Sequence, residues 1–281
     1  MTNLFRFILF AFFSCLCLIP ASFGHDGGQL TDPGKNKPVK TILLINSYHQ
    51  GYLWTDEITR GVAQTLKGTG VDLHIEYLST KRQLDPRLID LFAKIMLIKE
   101  QKHQHDLIIA SDNNALDFLK KRKKEIFGDH PVVFCGINYL SPDTVKGLTE
   151  YTGINERMDV QGNIDLIKHL HPDIRKIAVI TDNTTTGQRN QAEIKRVAAL
   201  PRNNHLDIEL IADVTINQLL ERVKGFDKET VALFTVFTRD KNDRFFEYEA
   251  VLEQVSRHSS IPLYATQNFS PGPAVVGGYL T

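Results

Sequence analysis

The sequence predicts an α/β protein built as two doubly wound, parallel-sheet units, or lobes, in tandem. Three observations carry this. Short apolar, β-branched runs recur at 41–47, 73–78, 107–110 and 132–137; stretches with helical spacing separate them; and the same alternation begins again after residue 159. Apolar runs without polar alternation suit strands covered on both faces, as in a parallel sheet.

Taken in order, residues 25–38 (HDGGQLTDPGKNKP) form a polar, Gly- and Pro-rich lead-in with the composition of a disordered segment. Lobe one is expected over 39–148. After its first strand, Ile58, Val62 and Leu66 repeat at four-residue spacing, as do Leu88, Phe92 and Met96. Asp85 before Pro86 is a helix start, a capping acid followed by proline in the first turn. Leu116, Phe118 and Leu119 mark a third helix face. Lobe two is expected over 149–268, joined to the first through 147–153. Its helices are expected at 159–170, 187–200 and 246–258, and its strands at 176–181, 208–211, 231–238 and 263–266. Thr215 with Gln218 forms a capping box that opens one more helix. Residues 268–278 break the pattern with two prolines and three glycines, and 269–281 is read as a crossover back towards lobe one. The alternation stops there with no closing helix for lobe one, as expected of a piece of a longer chain.

Composition excludes several classes. The chain has 281 residues, 33 basic against 33 acidic, and 42% apolar residues, enough to bury a core. Zero formal charge argues against a nucleic-acid partner recruited by bulk electrostatics. Residues 1–24 have the layout of a secretory signal peptide: Arg6, an apolar run from Phe7 to Ile19, Pro20, then Ser22-Phe23-Gly24 as a small-x-small cleavage site. A periplasmic or extracytoplasmic location follows as the expectation. Cleavage removes Cys15 and Cys17 and leaves Cys135, expected to be a buried, inert core thiol. No second apolar stretch is long enough to span a membrane.

Cofactor and nucleophile motifs are missing from the sequence. The turn after the first strand reads Asn46-Ser47-Tyr48-His49-Gln50-Gly51-Tyr52-Leu53-Trp54, one glycine among bulky aromatics. It cannot form G-x-G-x-x-G, and no P-loop, G-x-S-x-G elbow or H-E-x-x-H occurs. No cofactor, metal site or catalytic residue is assigned. His103 with His105, and His169 with His171, sit at helix C-termini, where the macrodipole and solvent account for them. The run 120–124 reads as a solvated helix end.

In open α/β sheets, ligands bind beyond the carboxyl ends of the strands. Those positions here carry Ser47, Tyr48, His49 and Trp54, then Ser111, Asp112 and Asn113, then Asn138; in the second half they carry Asp182 with Thr184, and Thr238 with Arg239. Each polar residue taken singly also suits a helix cap. The cluster Tyr48, Tyr52 and Trp54 could stack on a planar or cationic group, or pack as a lid on the core.

In the segments ILLINSYHQGYLWTDEITRG (42–61), IEYLSTKR (75–82), LIIASDNNALDFL (107–119), PVVFCGIN (131–138), IAVITDNTTTGQ (177–188), TVFTRDKNDRFFEYEA (235–250) and VVGGYLT (275–281), the chain resembles ABC transporter-type extracytoplasmic solute-binding proteins of the type I periplasmic-binding fold. Within that family it is closest to the branch serving as sensor input of bacterial membrane histidine kinases and diguanylate cyclases. The resemblance implies two lobes that close on a solute. Tyr48, His49 and Trp54 would lie at the lobe-one rim, Ser111, Asp112 and Asn113 in its floor and Asn138 near the hinge. Asp182, Thr184, Thr238 and Arg239 would face them. Family members return to lobe one and add a helix where this chain ends.

The expected function is therefore closure on a small polar ligand, with an ABC permease or the protein's own downstream signalling domains as partner. Any kinase or cyclase activity would lie beyond residue 281. Asp112 and Asp182 could receive an ammonium and Arg239 a carboxylate, which together hint at a zwitterion. The alternative is a secreted α/β hydrolase using Ser47 and His49, although side chains two apart on an extended segment point opposite ways.

Overall fold

Strands with no polar face must be covered on both sides, and this chain achieves that twice. The computed structural model describes residues 39–267 and 275–278. In the first half, β1 (Thr41–Asn46), α1 (Leu53–Leu66), β2 (Asp72–Tyr77), α2 (Pro86–Lys102), β3 (Leu107–Ser111), α3 (Asp112–Ile126), β4 (Val132–Asn138), α4 (Pro142–Val145) and β5 (Tyr151–Glu156) follow one another. The second half runs α5 (Val160–Leu170), β6 (Lys176–Ile180), α6 (Thr185–Ala198), β7 (Asp207–Ile211), α7 (Ile216–Lys224), β8 (Thr230–Phe234), α8 (Tyr248–His258) and β9 (Leu263–Ala265). A short 3-10 turn at Pro201–Asn203 precedes β7.

Both sheets are parallel throughout, in the orders β2-β1-β3-β4-β5 and β7-β6-β8-β9. Each order reverses beside its first strand, which opens a crevice at the carboxyl edge. The expected helix starts hold: Asp85 accepts from the Arg87 amide at 2.9 Å, and Thr215 with Gln218 forms the full capping box.

Two expectations need correction. The boundary placed at 148/149 assigned residues 151–156 to lobe two, but they form β5, which pairs with β4. The passage from the first sheet to the second therefore lies at 157–159. Strand β8 ends at Phe234 rather than continuing to Thr238; Val236 and Phe237 stay buried but leave the ladder. Residues 275–278 run beside β9, with the Ala265 amide donating to the Gly277 carbonyl at 3.0 Å. The signal-peptide and lead-in readings, with Cys15 and Cys17, fall outside the described residues. No described helix is long and apolar enough to cross a membrane.

Alternation of side chains along each strand builds the cores. In β6, Ala178 and Ile180 face a cluster with Phe234, Phe237, Tyr248 and Val251, while Ile177 and Val179 face Ile164, Ile194 and Tyr264. Leu43, Ile45, Ile108, Met96, Leu116, Leu119 and Phe134 fill the first half. Cys135 is half-buried rather than fully buried; its thiol is pushed up to about 11, first by burial and then by the charges of Asp112 and Glu156. Two other expectations shift. His105 is buried, paired with Glu100 and hydrogen-bonded to His74 at 2.8 Å, not solvated. Lys123, in the basic run, is buried with its ammonium over the Tyr151 ring.

Gly153 fixes how closely β5 approaches β4: a Cβ there would lie 2.1 Å from the Phe134 carbonyl oxygen. Gly153→Ala is expected to destabilise the protein by about 1–3 kcal/mol through that clash, lowering Tm by several degrees in a thermal melt.

Candidate functional site

The carboxyl edges of the two sheets face each other and touch. Tyr48 Oη and Thr186 Oγ1 lie 3.1 Å apart across the seam. The Arg239 guanidinium donates to the Lys81 carbonyl, and the rings of His49 and Phe245 meet edge to face at 5.3 Å. Arg189 on α6 lies 3.8 Å from Asp117 on α3. The lobes are closed on one another.

Among the described residues, two cavities lie in the seam. The larger, about 160 Å³, is lined from lobe one by Tyr48, Thr80, Lys81, Leu84 and Asn114, and from lobe two by Asn183, Thr184, Thr185, Thr186, Arg239 and Asp243. The smaller, about 20 Å³, is lined by Tyr48, Tyr52, Trp54, Lys81, Asp112, Asn138 and Glu156 from lobe one, and by Thr186, Val236 and Gln267 from lobe two. Tyr48, Lys81 and Thr186 border both, so the two form one polar, aromatic-walled seam.

Charge in this seam is held away from water. Lys81 is 4% exposed, and its ammonium sits 4.9 Å from the Tyr48 ring centroid. Its ammonium has no hydrogen-bond or ion-pair partner among the described residues. Burial lowers its pKa against the opposing charges of Asp182 and Asp112. Asp112 opens α3 in the left-handed region, with φ of 69°. Such an outlier persists only where its surroundings hold it. Its carboxylate accepts from Trp54 Nε1 at 3.1 and 3.2 Å and from Ser111 Oγ at 3.0 Å. Burial, then the Glu156 charge, pushes Asp112 up to about 7, against the Ser111, Lys81 and Trp54 contacts. Burial also raises Glu156.

The expected residues divide into two groups. Tyr48, Trp54, Asp112, Asn138, Thr184 and Arg239 line the cavities. Ser47, His49, Ser111, Asn113, Asp182 and Thr238 line neither of these two cavities. Ser47 Oγ donates to the Ser111 carbonyl at 2.7 Å and accepts the Ala115 amide at 2.8 Å, tying β1 to the start of α3. That geometry also turns Ser47 away from the His49 partnership a hydrolase would require. Asn113 Oδ1 accepts from the Asn138 amide at 3.1 Å and so sets Asn138 in place. Asp182 accepts from the Thr184 and Thr238 amides at 3.1 and 2.7 Å and from both hydroxyls, at 2.5 and 3.1 Å. Its acceptor capacity is spent on lobe-two loops, so it has no place left for a ligand ammonium. Arg239 holds Asp243 at 2.7 Å as well as the Lys81 carbonyl.

Lys81, Thr80, Asn114 and Glu156 were not anticipated. Lys81 and Thr80 follow the second strand, where the carboxyl-end rule applies as it does after the others. Glu156 closes β5, just beyond the joint expected at 147–153. Among the described residues, no group of three or more His, Cys, Asp or Glu side chains could hold a metal.

Two outcomes test the site's architecture. Asp182→Ala should cost about 3 kcal/mol in urea unfolding, because four donors lose a buried charged acceptor. His49 is 3% exposed at the closed seam, and neither ring nitrogen has a hydrogen-bond partner among the described residues; Glu247 Oε1 lies 3.8 Å away. Burial, then the Arg82 charge, lowers its pKa to about 4, against the opposing charge of Asp56. Closure therefore favours neutral His49: its contribution is complete above about 6.5, the ordinary histidine value, and is lost as pH falls from there towards 4. Calorimetric titrations should show solute affinity weakening over that window, and less so in His49→Gln.

Comparison with known proteins agrees with this geometry. The sequence profile of the family described as ABC transporter substrate binding protein matches residues 53–275. No curated protein matches the chain. Among solved structures, an ABC domain in complex with L-Trp from Streptococcus pneumonia is similar at TM-score 0.56 and 16% identity, covering 82% of this chain and 75% of that one. A solute binding protein of an ABC transporter from Rhodopseudomonas palustris BisB5, in complex with 3,4-dihydroxy benzoic acid, gives 0.53 and 14%, covering 81% and 61%. A carbohydrate transporter from Acidothermus cellulolyticus 11B, in complex with myo-inositol, gives 0.52 and 11%, covering 81% and 74%. At such identities the likeness is one of fold, and it bears out the two-lobed, type I periplasmic-binding-like architecture. With its profile match spanning most of the sequence and the seam between its lobes, the chain belongs to the family of ABC transporter substrate-binding proteins.

Proposed function

We propose that this protein is an extracytoplasmic binding domain that closes its lobes on a small polar solute bearing an anionic group and a cationic or hydrogen-bond-donating group. Lys81 carries this reading. A buried ammonium aimed into a cleft, with an aromatic face in place of a counter-ion, gains most from an anion that the solute brings. Asn114, Thr184 and Thr186 add neutral hydrogen-bonding groups beside it. At the smaller cavity, Asp112 and Glu156 among Trp54 and Tyr52 suit an ammonium or a cluster of donors.

Cavities of about 160 and 20 Å³ are smaller than the roughly 300–1,000 Å³ common for solute sites, so admission requires the lobes to part. The passage at 157–159 supports a hinge there, and solute shifts the open–closed equilibrium through contacts made to both lobes. Two of the similar proteins are bound to carboxylate-bearing molecules, L-Trp and dihydroxybenzoic acid. Family membership supports an ABC permease as the partner that reads closure. The sensor-input reading uses the same closure with a signalling domain in the permease's place.

A thermal-shift screen across amino acids, organic acids and sugars should give stabilisation by a carboxylate-bearing solute. Lys81→Met should then weaken that solute roughly 10- to 150-fold, the value of one charged hydrogen bond. Unchanged affinity in Lys81→Met, or stabilisation by neutral sugars alone, would overturn the reading. Because Asp112 titrates at about 7, docking a cation beside it should release protons at neutral pH. Calorimetry in two buffers of different ionisation enthalpy should detect that release in the native protein and lose it in Asp112→Asn.

A further inference from the structure

Helix α2 carries an apolar surface that the described residues leave uncovered. Ala93 and Met96 sit in the lobe-one core with Ile89, Phe92 and Leu97 packed against it. On the opposite side, Leu88, Leu91, Ile95 and Ile98 are 42–58% exposed, and Leu84 precedes them at 53%. Successive intervals of three and four residues place the four helical ones in a single stripe, while Leu84 lies before the helix cap and borders the cavity. The remaining exposed large apolar residues, such as Val39, Leu53, Ile154 and Leu170, are scattered, whereas this stripe is contiguous.

We infer that the stripe is a dimer interface, occupied by α2 of a second copy of this chain packed antiparallel. The spacing is the same read in either direction. Reversed pairing sets Leu88 against the partner's Ile98 and Leu91 against the partner's Ile95, each contact occurring twice about an axis near Ala93, as a two-fold interface requires. Charge favours the same orientation. It brings Asp85, which already holds Arg87, towards the partner's Lys102, and Lys102 has no ion pair among the described residues, whereas Lys99 is paired with Glu76. Parallel packing would instead oppose Lys94 to the partner's Lys99 across the seam. The two Lys94 side chains flank the axis in the antiparallel pair and are long enough to splay into water. Two such stripes with their rims bury on the order of 1,000 Å², the floor for a specific interface, which points to a reversible dimer.

Sedimentation velocity on the full chain tests this, with Leu84 left untouched because it borders the cavity. Native protein should pass from monomer to dimer across the micromolar range. The double variant L91E/I95E should remain monomeric while keeping its solute affinity and thermal stability. Under mild oxidation L91C/I95C should form a covalent dimer, unlike L91C alone and unlike the native sequence. If the glutamate variant does not fold, the cysteine pair decides the matter. A native chain that stays monomeric at every concentration overturns the inference, as does a dimer that survives L91E/I95E, a cross-link through L91C alone, or attachment to lipid vesicles without self-association.

Discussion

The ammonium of Lys81, withdrawn from water and laid over the Tyr48 ring, is the constraint around which the seam is organised. An aromatic face offsets part of the desolvation of a cation, but far less than a carboxylate in contact would. The nearest acids do not fill that role: Asp112 is engaged by Trp54 and Ser111, and Asp182 by two threonines. The seam thus holds separated charges of both signs in a poorly hydrated space, where each is sensitive to any polar molecule entering between them.

Separation on that scale needs a rigid frame. Ser47 joins β1 to α3, Asn113 fixes Asn138, and Asp182 gathers two loops at the mouth of lobe two. None of the three touches the cavities, yet each sets the position of a residue that does. The left-handed backbone of Asp112 belongs to the same frame: Gly136 lies against its carboxylate, where a Cβ would stand 3.1 Å from Oδ1.

Most of the architecture was legible in the sequence, because buried parallel strands write themselves as unbroken apolar runs and their helices keep a period near four. Strand β5 escaped because it is an edge strand with mostly exposed residues and an interior glycine, so Tyr151–Glu156 shows neither an apolar run nor alternation. Val236 and Phe237 misled in the opposite way, being core residues outside the ladder. At the site, the carboxyl-end rule identified the right loops but could not tell an inward side chain from an outward one. Asp112 and Asp182 occupy equivalent places after their strands; one lines a cavity and the other caps loops, and the difference lies in partners more than fifty residues away. Lys81 illustrates the same limit, since its burial depends on Tyr48 and on the lobe opposite.

The contacts of Tyr48 with Thr186 and of Arg239 with the Lys81 carbonyl are made entirely by protein atoms. Such latches favour the shut form whether or not a guest has arrived, so some fraction of molecules rests shut by default. In the proposed binding role, the strength of these two bonds sets how much of the closing free energy the protein supplies before a solute adds its own.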